Sequence, residues 1–507
     1  MTRVLLGQSY FLRFDPKLWK AMQPYPPLGT LYAASSLRSR GYDVALFDAM
    51  LATSEAEWAA RLDEERPDVA VLFEDNFNYL SKMCLLRMRE AAFRMLEAAR
   101  DRHIPAIVCG SDATDHAERY IDHGADWVVA GEGETTLGEL LDAMSGRTST
   151  EPADVIGLVF RRADGETVST GRRPNVTELD GLPFPAWDLV DVDRYRDAWR
   201  RHGRFSMNLV STRGCPFHCN WCAKPIWGQR YAVRSPENVA EELAWLKRTY
   251  GPDHISFADD IFGLKPDWLE AFAAAVRERD AAIPFKCLNR ADLLLRDGDV
   301  EALRDAGCET VWMGAESGSQ AVLDAMEKGT TVSEIREAAA RLRGAGIRVG
   351  FFLQFGYPGE TWADVAATRR LVADVIPDDI GISVSYPLPG TTFHERVKAD
   401  LAARGNWVDS SDLAMLYRGP FSTRVYRRLH GVVHREFRLL RAAGTTSPWP
   451  HIRAAVRRPA SRAALGRLRD ALVLPFDRAV LGGLARLDRP ARGRALPVVV
   501  GSLDRRG

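Results

Sequence analysis

The stretch FSMNLVSTRGCPFHCNWC, residues 205–222, runs from an apolar, strand-like segment straight into three cysteines, Cys215, Cys219 and Cys222, within eight positions. Its reading decides the fold, because what these thiols hold fixes what must surround them. A structural zinc site takes four ligands, often as two CxxC pairs. The chain has no second CxxC pair, and the nearest further ligand is His218 inside the loop itself. Soft thiolates also suit an iron–sulfur cluster. Three cysteines on a four-iron cluster leave one iron without a protein ligand, open to an exchangeable group.

Outward from this loop the pattern alternates. FSMNLVST is followed by five more strand candidates: HISFADD (254–260), PFKCLNR (284–290), TVWMGAES (310–317), RVGFFLQFG (348–356) and DIGISVSYPL (379–388). Helical stretches such as SPENVAEELAWLKRTYG and PDWLEAFAAAVRERD lie between them. Six sequential β/α units over residues 201–400 predict a barrel or partial barrel, whose chemistry sits on the loops at the strands' carboxyl ends. The cysteines fall on the first of those loops.

Residues 1–148 carry an earlier alternation, with strands RVLLG, DVALFDA, DVAVLFE, IPAIVCG and ADWVVAGEGE separated by helical segments. This predicts an α/β, doubly wound, Rossmann-like parallel sheet with its ligand beyond the carboxyl ends of the strands. CGSDATDH and GEGETT fall there. Residues 149–200 lose the periodicity and, with the prolines of ELDGLPFPAWDLVD, read as an ordered linker. Residues 401–507 read as a helical, arginine-rich region. It packs on the barrel, or presents a basic face to a membrane surface or acidic partner.

The 507 residues suffice for two or three domains, and the formal net charge of zero gives no electrostatic reason to expect a nucleic-acid partner. A small-molecule substrate is favoured. Seven cysteines are too few for a disulfide scaffold, the start MTRVLLGQSYF lacks the h-region of a signal peptide, and no apolar run is long enough for a transmembrane segment. The expectation is a cytoplasmic protein.

CxxxCxxC on the loop after the first strand of a β/α array resembles the radical S-adenosylmethionine (SAM) superfamily over about residues 200–400. The resemblance implies a 4Fe–4S cluster on Cys215, Cys219 and Cys222, with SAM chelated at the open iron. It also implies reductive cleavage to a 5'-deoxyadenosyl radical that takes hydrogen from substrate, with an electron donor such as flavodoxin or ferredoxin. Glu316, in GAESGS (314–319), is similar to the family acid that contacts the SAM amino or ribose groups.

Other strand ends supply candidates. Asp259 and Asp260 in FADDIFG either accept hydrogen bonds from cofactor or substrate, with Asp260 able to supply a proton, or cap the next helix. Arg290 in NRAD is placed to pair with the methionyl carboxylate. Tyr386, in SVSYPLPGT, relays a proton, stacks on adenine, or is structural. Glu360 in FGYPGET is either a site residue or part of a tight turn. Cys287 and Cys308 read as packed small hydrophobes.

The segment YPPLGTLYAASSLRSRGYDVALFDA with the later Gly-rich turns resembles the cobalamin-binding domain that precedes the barrel in cobalamin-dependent radical SAM enzymes. Methyltransferases and the anaerobic magnesium-protoporphyrin monomethyl ester cyclase share this architecture. The tRNA methylthiotransferases differ, having three cluster cysteines in the N-terminal domain where this chain has only Cys84 and Cys109. The resemblance implies corrin contacts at Gly110, Ser111, Asp112, Gly131, Glu132 and Gly133. The DxHxxG segment that supplies a cobalt-binding histidine in many cobalamin enzymes is absent: the chain reads GQSYFLRFDPKLW after its first strand. Both a corrin held without histidine and a domain that no longer binds one fit that departure. The leading expectation is cobalamin-dependent C-methylation of a natural-product or tetrapyrrole-like small molecule. Oxidative ring cyclisation, cobalamin-independent dehydration or rearrangement, and a zinc-stabilised binding module are the alternatives.

Overall fold

The computed structural model describes residues 2–224, 226–457 and 462–488. The N-terminal strands are β1 (Arg3–Gly7), β2 (Asp43–Phe47), β3 (Val69–Phe73), β4 (Ala106–Cys109), β5 (Trp127–Val129), β6 (Leu158–Arg161) and β7 (Thr167–Ser169). They form one sheet in the order β2-β1-β3-β4-β5-β6-β7, parallel from β2 to β5. The buried runs Val4–Leu6 and Val69–Phe73 occupy its centre, as continuous apolar strands covered on both faces must. Strand order reverses between β1 and β3, which makes the crevice beyond their carboxyl ends the switch point of the sheet. The stretch expected to be only a linker contributes β6 and β7, which pair antiparallel and extend this sheet. Short strands with a turn at Gly165, φ +88°, carry too little periodicity to stand out in the sequence.

β8 (Ser206–Leu209) opens the second unit, and β9 (Thr212–Arg213) pairs antiparallel with β10 (Ala232–Val233). β11 (His254–Phe257), β12 (Phe285–Asn289), β13 (Cys308–Glu316), β14 (Arg348–Phe355) and β15 (Asp379–Val384) follow. The order β15-β14-β13-β12-β11-β8, parallel throughout, is the partial (β/α)6 barrel. Cys287 and Cys308 pack in its core with sulfurs 4.0 Å apart.

The C-terminal region is helical over Thr423–Ala443, Trp449–Arg457 and Arg462–Leu487, but not from its start. Residues 401–418 form an irregular strap that returns to the N-terminal unit. Leu86 donates its N–H to the Trp407 carbonyl at 2.8 Å, Asn406 Nδ2 donates to the Cys84 carbonyl at 2.8 Å, and Ser410 donates to Asp15 through N–H and hydroxyl at 3.0 and 2.7 Å. Among the described residues no helix is long and apolar enough to cross a membrane.

Inside the N-terminal unit, Arg89 and Asp112 form a buried two-point ion pair at 2.7 and 2.5 Å, and Tyr120 donates to the same carboxylate at 2.7 Å. Arg89→Ala leaves a buried carboxylate without its cation and is expected to destabilise the protein by about 3–5 kcal/mol, whereas Arg89→Met with Asp112→Leu recovers most of that loss. Thermal unfolding of both variants measures the difference.

Candidate functional site

The carboxyl ends of the two parallel sheets face each other, and the cysteine loop lies between them. β9 and β10 join the neck of this loop, and Asn220 fastens its middle. Asn220 donates its backbone N–H to Met326 O (3.1 Å) and its side-chain amide to Ala325 O (2.8 Å) and Glu327 (3.1 Å). It accepts from Phe393 N–H (2.9 Å) and the Tyr357 hydroxyl (2.9 Å). Cys215 packs against Ile261 and Leu293. Burial pushes the Cys215 and Cys222 thiols up, and the neighbouring cysteines and Asp260 add to this while Lys224 opposes it. Thiols raised in this way, as Cys215 and Cys222 are, become stable thiolates only beside a strong positive charge, which bound iron supplies. Among the described residues no three Cys, His, Asp or Glu side chains converge on a single metal ion. Three soft thiolates on one loop, with no second CxxC pair in the sequence, fit an iron–sulfur cluster.

Arg290 and Glu316 are brought to this loop. The Arg290 guanidinium lies 3.6 Å from the Phe217 ring centroid with Nη1 3.8 Å from Cys219 Sγ. Its other donors go to Asp292 (3.0 Å) and the Lys328 carbonyl (2.8 Å). It therefore stands as a cation beside the thiolate with most of its hydrogen bonds already committed. Glu316 has a left-handed φ of +54° at the register shift of β13, where Ser317 N–H reaches Ala315 O at 2.6 Å. Such a conformation in a residue other than glycine is strained and is held by its surroundings. Lys328 holds it, with Nζ 2.9 Å from Glu316 Oε1 and both side chains buried. A Cβ on Gly314 would come within 2.7 Å of both the Glu316 and Lys328 charged atoms, so a larger residue there would make the pair shift.

The other expected residues are placed differently. Asp259 is buried and accepts from Ser211 N–H (3.0 Å), Ser211 Oγ (2.7 Å) and Thr212 Oγ1 (2.6 Å). Burial pushes its carboxyl up to about 6 against those bonds. It splices β11 to the root of the cysteine loop rather than facing a ligand. Asp260 is exposed and pairs with Lys82 of the N-terminal unit at 2.6 Å. Tyr386 is buried edge-on against Trp407, 4.8 Å between centroids, and its hydroxyl has no hydrogen-bond partner among the described residues.

In the N-terminal unit Ser111 donates to the Ser81 and Lys82 carbonyls, and Asp112 is consumed by Arg89 and Tyr120. Gly110 and Gly133 are demanded by internal packing, since a Cβ there would meet Glu74 Cγ at 2.8 Å and Cys109 Sγ at 2.4 Å. Gly131 turns the chain at φ +84°. Glu132 and Glu134 clasp Arg213, two residues before Cys215; the Glu134 bond is 2.7 Å. The guanidinium also lies over Tyr32 and Phe77, at 5.4 and 5.7 Å. The residues expected at a corrin are thus mostly tied into the scaffold.

The segments after β1 and β3, at the switch point, carry unpaired polar atoms; the sequence reading missed the switch point because strand order is not written in one chain. Tyr10 follows β1, and Asn76 and Ser81 follow β3; all are buried. The Tyr10 hydroxyl, Asn76 Oδ1 and Ser81 Oγ have no hydrogen-bond partner among the described residues. Buried unpaired polar atoms call for a ligand or water. Lys328 and Asn220 were also missed, since neither lies in a recognisable pattern. Asn220→Ala is expected to lower the iron content of the anaerobically purified protein and to cost about 1–3 kcal/mol of stability, measured by iron assay and melting.

Comparison with known proteins follows this division. The Radical SAM superfamily model matches residues 209–372, and the B12 binding domain model matches residues 19–141. An uncharacterized methyltransferase of Pyrococcus horikoshii is 30% identical over 285 residues, covering 56% of this chain and 60% of that protein. An anaerobic magnesium-protoporphyrin IX monomethyl ester cyclase of Synechocystis is 28% identical, covering 63% and 62%. The chain thus spans about 60% of the length of these relatives. Among solved structures, the cobalamin-dependent SAM radical enzyme OxsB superposes with a TM-score of 0.68 at 16% identity, covering 96% of this chain and 75% of that one. The radical SAM methyltransferase TsrM of Kitasatospora setae gives 0.64 at 20%, covering 79% and 75%. A radical SAM domain implies a 4Fe–4S cluster and SAM, and a B12-binding domain implies cobalamin. With a B12-binding domain over residues 19–141 and a radical SAM domain over residues 209–372, the chain is homologous to cobalamin-dependent radical SAM methyltransferases and cyclase-like proteins.

Proposed function

We propose that the protein is a cobalamin-dependent radical SAM methyltransferase acting at carbon on a small molecule. The observation that carries this reading is the opposition of the two ligand-binding edges, clasped by Arg213 between Glu132 and Glu134. When bound, the cluster with SAM supplies a 5'-deoxyadenosyl radical, and cobalamin supplies the methyl group. The chain's own work is placement. Cys215, Cys219 and Cys222 bind iron, Arg290 offsets the Cys219 charge, and Glu316, set by Lys328, receives the SAM amino or ribose groups. Asp260 with Lys82 and the Phe77–Trp227 stack, 5.1 Å between centroids, close the seam between units and keep water from the reacting carbon. The electron comes from a flavodoxin- or ferredoxin-type donor. Cyclisation of a tetrapyrrole is the second reading, favoured by the similarity to the monomethyl ester cyclases of three bacteria.

Anaerobic purification with cobalamin supplied, followed by iron, sulfide and cobalt analysis, is expected to give about four irons and stoichiometric cobalt; a cluster without cobalt overturns the methyl-transfer reading. Cys215→Ala, Cys219→Ala and Cys222→Ala are each expected to abolish 5'-deoxyadenosine formation, measured by chromatography with dithionite as reductant. Glu316→Gln and Lys328→Met are expected to weaken SAM binding roughly tenfold or more, from the loss of a charged hydrogen bond, with iron content unchanged. Calorimetric titration with SAM reads the difference.

A further inference from the structure

Of the large apolar side chains exposed on this protein, five crowd into its last two described helices: Trp449, Leu465, Leu472, Phe476 and Leu487, from 54 to 81% exposed. On the helix Arg462–Leu487 the last four recur at intervals of 7, 4 and 11 residues, which at 3.6 residues per turn sets them on one face. Ala479 and Gly483 are exposed on the same stripe, and Arg469, with its side chain 76% exposed, stands within it. The inner face is fully engaged: Asp470 and Asp477 are buried and paired with Arg438, Arg428 and Arg435 of the helix Thr423–Ala443.

The charge of this region is one-sided. Between Trp449 and Leu487 the sequence holds eight arginines and only those two aspartates, both buried. Its outer surface therefore offers apolar side chains and guanidinium groups with no exposed carboxylate. Beside the stripe, between the two long helices, lies a cavity of about 540 Å³ lined by Phe437, Ala442 and Ala463, by Arg438 and Arg441, which pair with Asp470 of the lining and with Asp378, and by Arg467. An apolar floor under an arginine rim suits an acyl chain carrying an anionic head.

We propose that the helices Trp449–Arg457 and Arg462–Leu487 form an interfacial surface that lies on an anionic lipid bilayer. A second copy of the chain would set arginine against arginine across the stripe, whereas anionic headgroups neutralise it. Trp, Phe and Leu on one face with arginine alongside is the composition of helices that rest in the headgroup region without spanning it. The surface is separate from the cluster loop, and the proposal stands whichever reaction the barrel performs.

The test is flotation of the full-length, cluster-loaded protein with phosphatidylcholine vesicles and with vesicles containing roughly 30% phosphatidylglycerol. Binding is expected only to the anionic vesicles, and it should weaken as salt rises from about 0.05 to 0.5 M because the Debye length shortens. Leu472→Glu and Phe476→Glu, at exposed positions, should leave the melting temperature unchanged and reduce the bound fraction roughly tenfold. Failure of the unsubstituted protein to float with anionic vesicles overturns the proposal. Dimers in sedimentation velocity that Phe476→Glu dissociates, with no vesicle binding, would also overturn it and assign the face to a second copy.

Discussion

Everything in this molecule that concerns chemistry depends on one buried guanidinium. Arg213 ends the neck of the cysteine loop, and its partners are Glu132, in the loop after β5 of the other unit, and Glu134, the first residue of the helix that follows. Two carboxylates and one guanidinium are costly to remove from water, and the geometry must compensate. It does so through charged hydrogen bonds, the rings of Tyr32 and Phe77, and a Glu132 carboxyl that burial pushes up while Arg213 pulls it down. An arrangement this demanding tolerates little displacement. It therefore fixes the orientation of the B12-binding edge against the barrel more sharply than apolar contact alone could.

The same economy of polar groups runs along the seam. Asp259 is spent on Ser211 and Thr212 at the root of the loop, Asp260 on Lys82, and Asp15 on Ser410 of the strap. Acids at strand ends read in isolation as ligand-binding groups. Here several are the mortar between segments, while Glu316 pairs with Lys328.

Much of the architecture was legible in the sequence. The six barrel strands fall where their apolar runs end in Gly- and acid-rich turns, and the cysteine spacing located the loop because thiolate chemistry restricts what three cysteines can hold. What escaped was long-range. β6 and β7 are too short to show a period, the 401–418 strap has no pattern of its own, and the switch point follows from strand order. Ser111 and Asp112 looked like ligand-facing residues because they follow a strand and a glycine. Asp112's partners, Arg89 and Tyr120, and Ser111's, the Ser81 and Lys82 carbonyls, belong to helices whose approach no local rule predicts.

The two-residue ladder between β9 and β10 has a consequence for assembly. Residues 214–231 form a loop whose ends are already joined by Thr212–Val233 and Arg213–Ala232 pairing and whose middle is held by Asn220. The entropy of bringing the ends of such a loop together is therefore met by folding and not by metal uptake. Iron and sulfide need only fill a pre-shaped receptacle, so the polypeptide can mature in two separable stages, chain first and inorganic core second.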